Sequence, residues 1–119
     1  MPAKNDHLKV ARENELLIEQ LDLDNPCARG WASTVSFYAA LHYVEAFFST
    51  NGVHSADHRT RDSNLFRYPE TKAIYDDYCE LKNISTTARY RGRYPDKLAF
   101  SVEVKPALAT VKTEMQKHL

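Results

Sequence analysis

The hydrophobic positions keep a helical rhythm along the whole chain, but its width changes. From Phe37 to Phe48 the run Phe37-Tyr-Ala-Ala-Leu-His-Tyr-Val-Glu-Ala-Phe-Phe48 is apolar on nearly every side. That is the pattern of a helix buried all round at the centre of a bundle. It is expected to run from about Trp31 to Ser49 and to stop at Asn51-Gly52, a left-handed C-terminal signal. The segments around it carry one stripe each. Leu8, Ala11, Glu15 and Ile18 share a face, with Val10, Leu17 and Leu21 beside them. This first helix is expected to start after Asn5 or Asp6, either of which can cap free backbone N–H groups, and to break at Asp22-Leu-Asp-Asn-Pro26. Ser55 is placed to cap a short helix carrying Asp57 to Phe66. Pro69 and Glu70 suit the first turn of the next helix, whose stripe is Ile74, Tyr78, Leu81, Ser85 and Ala88 and whose end falls near Gly92. Phe100-Ser-Val-Glu-Val104 alternates like a strand, but no second strand exists to pair with it. It therefore reads as a lead-in to the last helix, with Pro106 near its start and a stripe of Val104, Leu108, Val111 and Met115. The expected fold is all-α, an up-and-down bundle of four long helices plus one short helix, in a single domain over 1–119.

Charge alters this picture only locally. Lys and Arg number 16 and so do Asp and Glu, so the net charge of zero argues against a protein that coats nucleic acid through bulk charge. Residues 1–24 are acidic on balance, whereas residues 82–97 hold Lys82, Arg89, Arg91, Arg93 and Lys97 against Asp96 alone. Both read first as solvated faces, the second also as cations suited to a helix C-terminus. No apolar run approaches bilayer length and the N-terminus is polar, so no membrane association and a cytoplasmic location are expected. Cys27 and Cys79 lack a CxxC spacing and read as two free thiols. Three glycines cannot build a phosphate-binding loop, and there is no GxSxG elbow or basic zipper. His54 and His58 stand four apart, but with Ser55 as the cap His54 lies outside the helix. Neither a metal nor a cofactor is expected.

The candidate chemistry sits in the central run. His42 and Glu45 are three residues apart and share a face of a helix that is otherwise apolar. A buried carboxylate and a buried imidazole are costly unless partnered. Two segments can supply partners: His54-Ser-Ala-Asp-His-Arg-Thr-Arg61 and Ser85-Thr-Thr-Ala-Arg-Tyr-Arg91. A pocket of His42, Glu45, His58, Arg61, Arg89 and Tyr90 has two readings. Its cations can hold a nucleotide phosphate or a nucleic-acid backbone. Alternatively, Glu45 neutralises Arg61 or Arg89 and locks the central helix to its neighbours. The aromatic set Tyr38, Tyr43, Phe47, Phe48, Tyr75 and Tyr78 has helical spacing and reads as core or dimer interface, and Trp31 as a bundle-end plug or a protein contact.

Taken together, the Phe37–Ala46 segment, His58 with its arginines, and Ser85-Thr-Thr-Ala-Arg-Tyr90 resemble the HEPN superfamily, the higher eukaryote and prokaryote nucleotide-binding domain. The similarity spans about Glu13 to Met115. It implies a helical up-and-down bundle, a cytoplasmic homodimer, and membership of a group rich in metal-independent ribonucleases, toxins of toxin–antitoxin pairs, and partners of minimal nucleotidyltransferases. The nuclease signature of that group is an Arg followed four to six residues later by a His. His can move a proton at the RNA 2′-hydroxyl or leaving oxygen while Arg stabilises the charged phosphorane. No arginine of this chain has a histidine at that distance, and His58 precedes Arg59 and Arg61. The leading expectation is thus a non-catalytic or weakly catalytic module that binds nucleotide, RNA or a partner protein such as a nucleotidyltransferase, with His42, Glu45, Arg89 and Tyr90 around the ligand. The alternative is a ribonuclease with His58 as acid/base and Arg61 or Arg89 on the phosphate. A third reading is a structural or interaction protein whose polar cluster only holds the fold.

Overall fold

The computed structural model describes residues 2–119, and every regular element among them is helical. Helix α1 (Lys4–Gln20) leads through a short link into α2 (Pro26–Thr50). Two short helices follow, α3 (His58–Asn64) and α4 (Pro69–Lys72), and then α5 (Tyr75–Arg91). The last helix, α6 (97–116), is continuous but composite: a first turn Lys97–Ala99, a π-helical turn Phe100–Val104, and an α-helical body Lys105–Gln116. Helix α2 is the hub and packs against α1, α5 and α6.

The reason is its sequence. Ala39, Ala40, Tyr43, Val44, Ala46 and Phe48 are wholly buried, so small residues let neighbours close in on some sides while aromatic rings fill the others. Its partly open residues, Trp31, Val35, Tyr38, His42 and Ser49, follow one another at intervals of four, three, four and seven. They form a single stripe, because those intervals return to the same side of an α-helix. His7 of α1 meets this stripe at His42, and Arg89 of α5 meets it at Tyr38.

Several boundaries differ from the sequence expectation, each for a local reason. Helix α1 starts at Lys4, with Ala3 as the cap residue; Asp6, a candidate cap, instead turns back to accept the Ala3 N–H at 2.9 Å. Helix α2 begins five residues before Trp31, because Asn25 accepts the Ala28 N–H and Pro26 fills the first helical position. Asp57, not Ser55, caps α3, accepting the Thr60 N–H at 2.8 Å. The helix expected from Pro69 onward stops after one turn and restarts at Tyr75, so there are two short helices rather than one. Phe100–Val104 lies inside the last helix, which Asp96 caps by accepting the Ala99 N–H at 2.7 Å. Val10 and Leu17, placed beside the apolar stripe of α1, are exposed. At the other ends Gly52 and Gly92 take positive φ, as a helix stop requires.

No helix among the described residues is long and apolar enough to cross a membrane. Cys27 is exposed and Cys79 half-buried, and both are free.

Candidate functional site

Glu45 is 3 % exposed, and its partner is Arg61 rather than Arg89: Arg61 Nε donates to Glu45 Oε1 at 2.6 Å. Helix α3 places that arginine, since Asp57 fixes the start of the helix and Arg61 follows one turn later. Its Nη1 lies 3.1 Å from His58 Nδ1, and the His58 ring stacks over Phe37 with centroids 6.2 Å apart. Partial burial, then the charge of Arg61, holds the His58 imidazole below its ordinary value. Behind the pair lies Tyr78, whose buried hydroxyl has no hydrogen-bond partner among the described residues and whose phenol is pushed upward by burial. Charge is therefore closed on itself here. A carboxylate neutralises one guanidinium, and that guanidinium holds the adjacent histidine.

His42 does not join Glu45 and His58 directly. It meets His7, a residue with no sequence signal because its partner lies 35 positions away; the two Nδ1 atoms are 3.0 Å apart. One ring must donate and the other accept, so the contact tolerates one Nδ1 proton and not two. Burial is the first cause holding both imidazoles below 6.5; Arg61 opposes protonation of each and Glu45 favours it. Because the folded values are lowered, the unfolded chain takes up protons first. The stabilisation is complete above 6.5 and is lost as pH falls through the lowered folded values. The melting temperature is expected to drop between about pH 7.5 and about pH 5.5, before most carboxylates titrate. His42→Gln should flatten that slope, and an unchanged slope in the variant would remove the pair as its source.

Arg89 belongs to a second group. Its Nη1 donates to the Tyr38 hydroxyl at 3.2 Å, and its guanidinium stands 5.7 Å from the centre of the Tyr38 ring and 5.2 Å from that of Tyr90. It is half-buried, and among the described residues no carboxylate lies within ion-pair distance of it. Tyr90 itself is 75 % exposed. Beside Arg89 opens a cavity of about 270 Å³, walled by Trp31, Tyr94, Thr34 and Cys27. Tyr94 reaches that position because residue 30 is glycine: a Cβ there would stand 2.7 Å from the ring's Cε1. A glycine inside a helix costs about 1 kcal/mol relative to alanine, so Gly30 was the available sequence signal for a close approach.

The six residues expected to form one pocket thus form three small groups. They are the ion pair Glu45–Arg61 with His58, the pair His42–His7, and Arg89 between Tyr38 and Tyr90. Among the described residues no cluster of three or more His, Cys, Asp or Glu is arranged to hold a metal ion. No protein-family model matches the chain, and no curated protein or solved structure does either.

Proposed function

We propose that this chain is a HEPN-type binding module whose ligand-facing group is Arg89 and whose ligand is a nucleotide or an RNA segment. The observation that carries this reading is the state of Arg89. It is a half-buried guanidinium without a carboxylate among the described residues, set between two tyrosines at the mouth of an aromatic-walled cavity. An unmatched guanidinium attracts phosphate, and exposed rings such as Trp31 and Tyr90 give bases a surface on which to stack. Arg61 is poorly suited to the phosphate in comparison, because Glu45 already neutralises it. The exposed apolar residues Val10 and Leu17 of α1 support a homodimer, and a nucleotidyltransferase is the proposed partner protein.

Titration with single-stranded RNA and with ATP tests the reading. Arg89→Ala is expected to weaken binding and to lower the salt slope by about one counterion, and Trp31→Ala to cost about 1–3 kcal/mol of affinity. Wild type that binds neither ligand would end it. RNA cleavage in EDTA that disappears in His58→Ala would replace it with the ribonuclease reading, with a loss of about two to four orders of magnitude. Sedimentation at micromolar concentration is expected to give a dimer; a clean monomer rejects that part.

A further inference from the structure

Arg29 is a second guanidinium without an acid partner, and it is more deeply buried than Arg89, with 8 % exposure. Three carbonyls hold it: Nε donates to Pro95 O at 2.9 Å, and Nη1 to Leu23 O at 2.8 Å and Asp24 O at 3.2 Å. Carbonyl dipoles fix its direction but do not cancel its charge. Nη2 has no partner among the described residues, and Arg29 lines a cavity of about 190 Å³ where the α1–α2 link meets the start of α6. Lys97, Lys105 and Ser101 also line that cavity, over the ring of Phe100. Lys105 Nζ stands 5.8 Å from the centre of that ring and has no carboxylate partner among the described residues. The acid in this wall is Asp24, which binds Lys97 at 2.5 Å. Three cations therefore face one carboxylate.

We propose that this cavity binds a phosphate dianion, either inorganic phosphate or the phosphoryl group of a small phosphomonoester. The match is one of charge and of donors. The surplus over Asp24 is two positive charges, and the donors on offer are the free Arg29 nitrogen, two ammonium groups and the Ser101 hydroxyl. The guanidinium is pre-oriented by its carbonyl contacts, so little side-chain entropy is lost when the anion arrives. This site is separate from the one at Arg89. Arg29 and Trp31 are two positions apart on α2 and point to nearly opposite sides of it.

Calorimetric titration of the full chain with inorganic phosphate at constant ionic strength tests the proposal. A second arm with ethyl phosphate distinguishes the sources: tighter binding of the ester marks a phosphomonoester ligand, and tighter binding of inorganic phosphate marks the free ion. Lys105→Gln, at an exposed position, is expected to weaken phosphate binding about tenfold, the scale of one charge-assisted hydrogen bond. Asp24→Asn removes the carboxylate that competes for Lys97 and is expected to tighten binding several-fold. Arg29→Lys supplements these variants, and because it is buried its melting curve is recorded alongside. Phosphate binding is read on Lys105→Gln and Asp24→Asn and nucleotide binding on Arg89→Ala, so that failure here and failure of the nucleotide site are distinguishable. No saturable binding by wild type, or binding indifferent to both Lys105→Gln and Asp24→Asn, overturns the proposal.

Discussion

Replacing Ala40 with glutamate is expected to leave the chain without a cooperative fold. Ala40 is 0 % exposed and lies across α2 from the open stripe of Trp31, Val35, Tyr38 and His42, so its side chain points into the bundle. A glutamate there meets two costs at once. Its volume overfills a packed layer, by about 1–3 kcal/mol, and its carboxylate is taken out of water with no cation opposite it, which costs several kcal/mol more. A domain of this size has a total stability of about 5–15 kcal/mol, so the sum consumes most or all of it. Trp31→Glu is the matched control. It adds the same charge to the same helix at a position 58 % exposed, and its melting curve should stay close to wild type. Circular dichroism melts of the two variants decide the matter. If Ala40→Glu melts within a few degrees of Trp31→Glu, α2 is not enclosed as described.

The central helix was legible because burial on most sides leaves an unmistakable pattern: between Phe37 and Phe48 the residues are apolar or small apart from His42 and Glu45. The stripes on α5 and α6 were equally readable, since Tyr78, Leu81, Val111 and Met115 all fall in the core, as does Ile74 just before α5. What the pattern left open were boundaries decided by competition between neighbouring signals. Ser55 and Asp57 are both good caps, and the carboxylate took the role. No Gly or Pro marks the break between α4 and α5; there Thr71 Oγ1 donates to the Leu65 carbonyl and ties that turn to the chain before it, a contact that no periodicity reveals. The Phe100–Val104 alternation had a strand's period, yet with no strand to pair it closes instead into a π-turn within a helix.

The site was legible in its parts and not in its pairing. Sequence logic required a cation for Glu45 and offered Arg61 and Arg89 as alternatives; the chain uses Arg61, sixteen residues away, and turns Arg89 toward Tyr38 instead. Which arginine wins depends on the packing of α3 and α5 around α2, information that a local spacing does not contain. His7 and Arg29 carry no local sequence signal for the same reason. His7 meets a residue 35 positions away, and Arg29, besides the nearby Leu23 and Asp24 carbonyls, reaches Pro95 66 positions away, across elements whose relative placement only the folded chain defines.

The second large effect belongs to that ion pair. Glu45→Gln is expected to lower stability by about 3–5 kcal/mol, because the Arg61 side chain is only 11 % exposed and would be left charged and unmatched against the core. The cost is one of stranded charge, not of the pair's intrinsic strength, and the double variant separates the two. Exchanging both partners for apolar residues of similar size, Glu45→Leu with Arg61→Met, removes both charges together and is expected to recover much of the loss. His58→Ala should change stability far less, since His58 is largely exposed and contributes one contact to Arg61. Urea titrations of the four chains give the comparison directly. A double variant no better than Glu45→Gln would mean that the pair does more than compensate charge. A Glu45→Gln variant as stable as wild type would mean that Arg61 finds water or another acceptor, and that the group formed by Glu45, Arg61 and His58 is looser than its 2.6 Å contact implies.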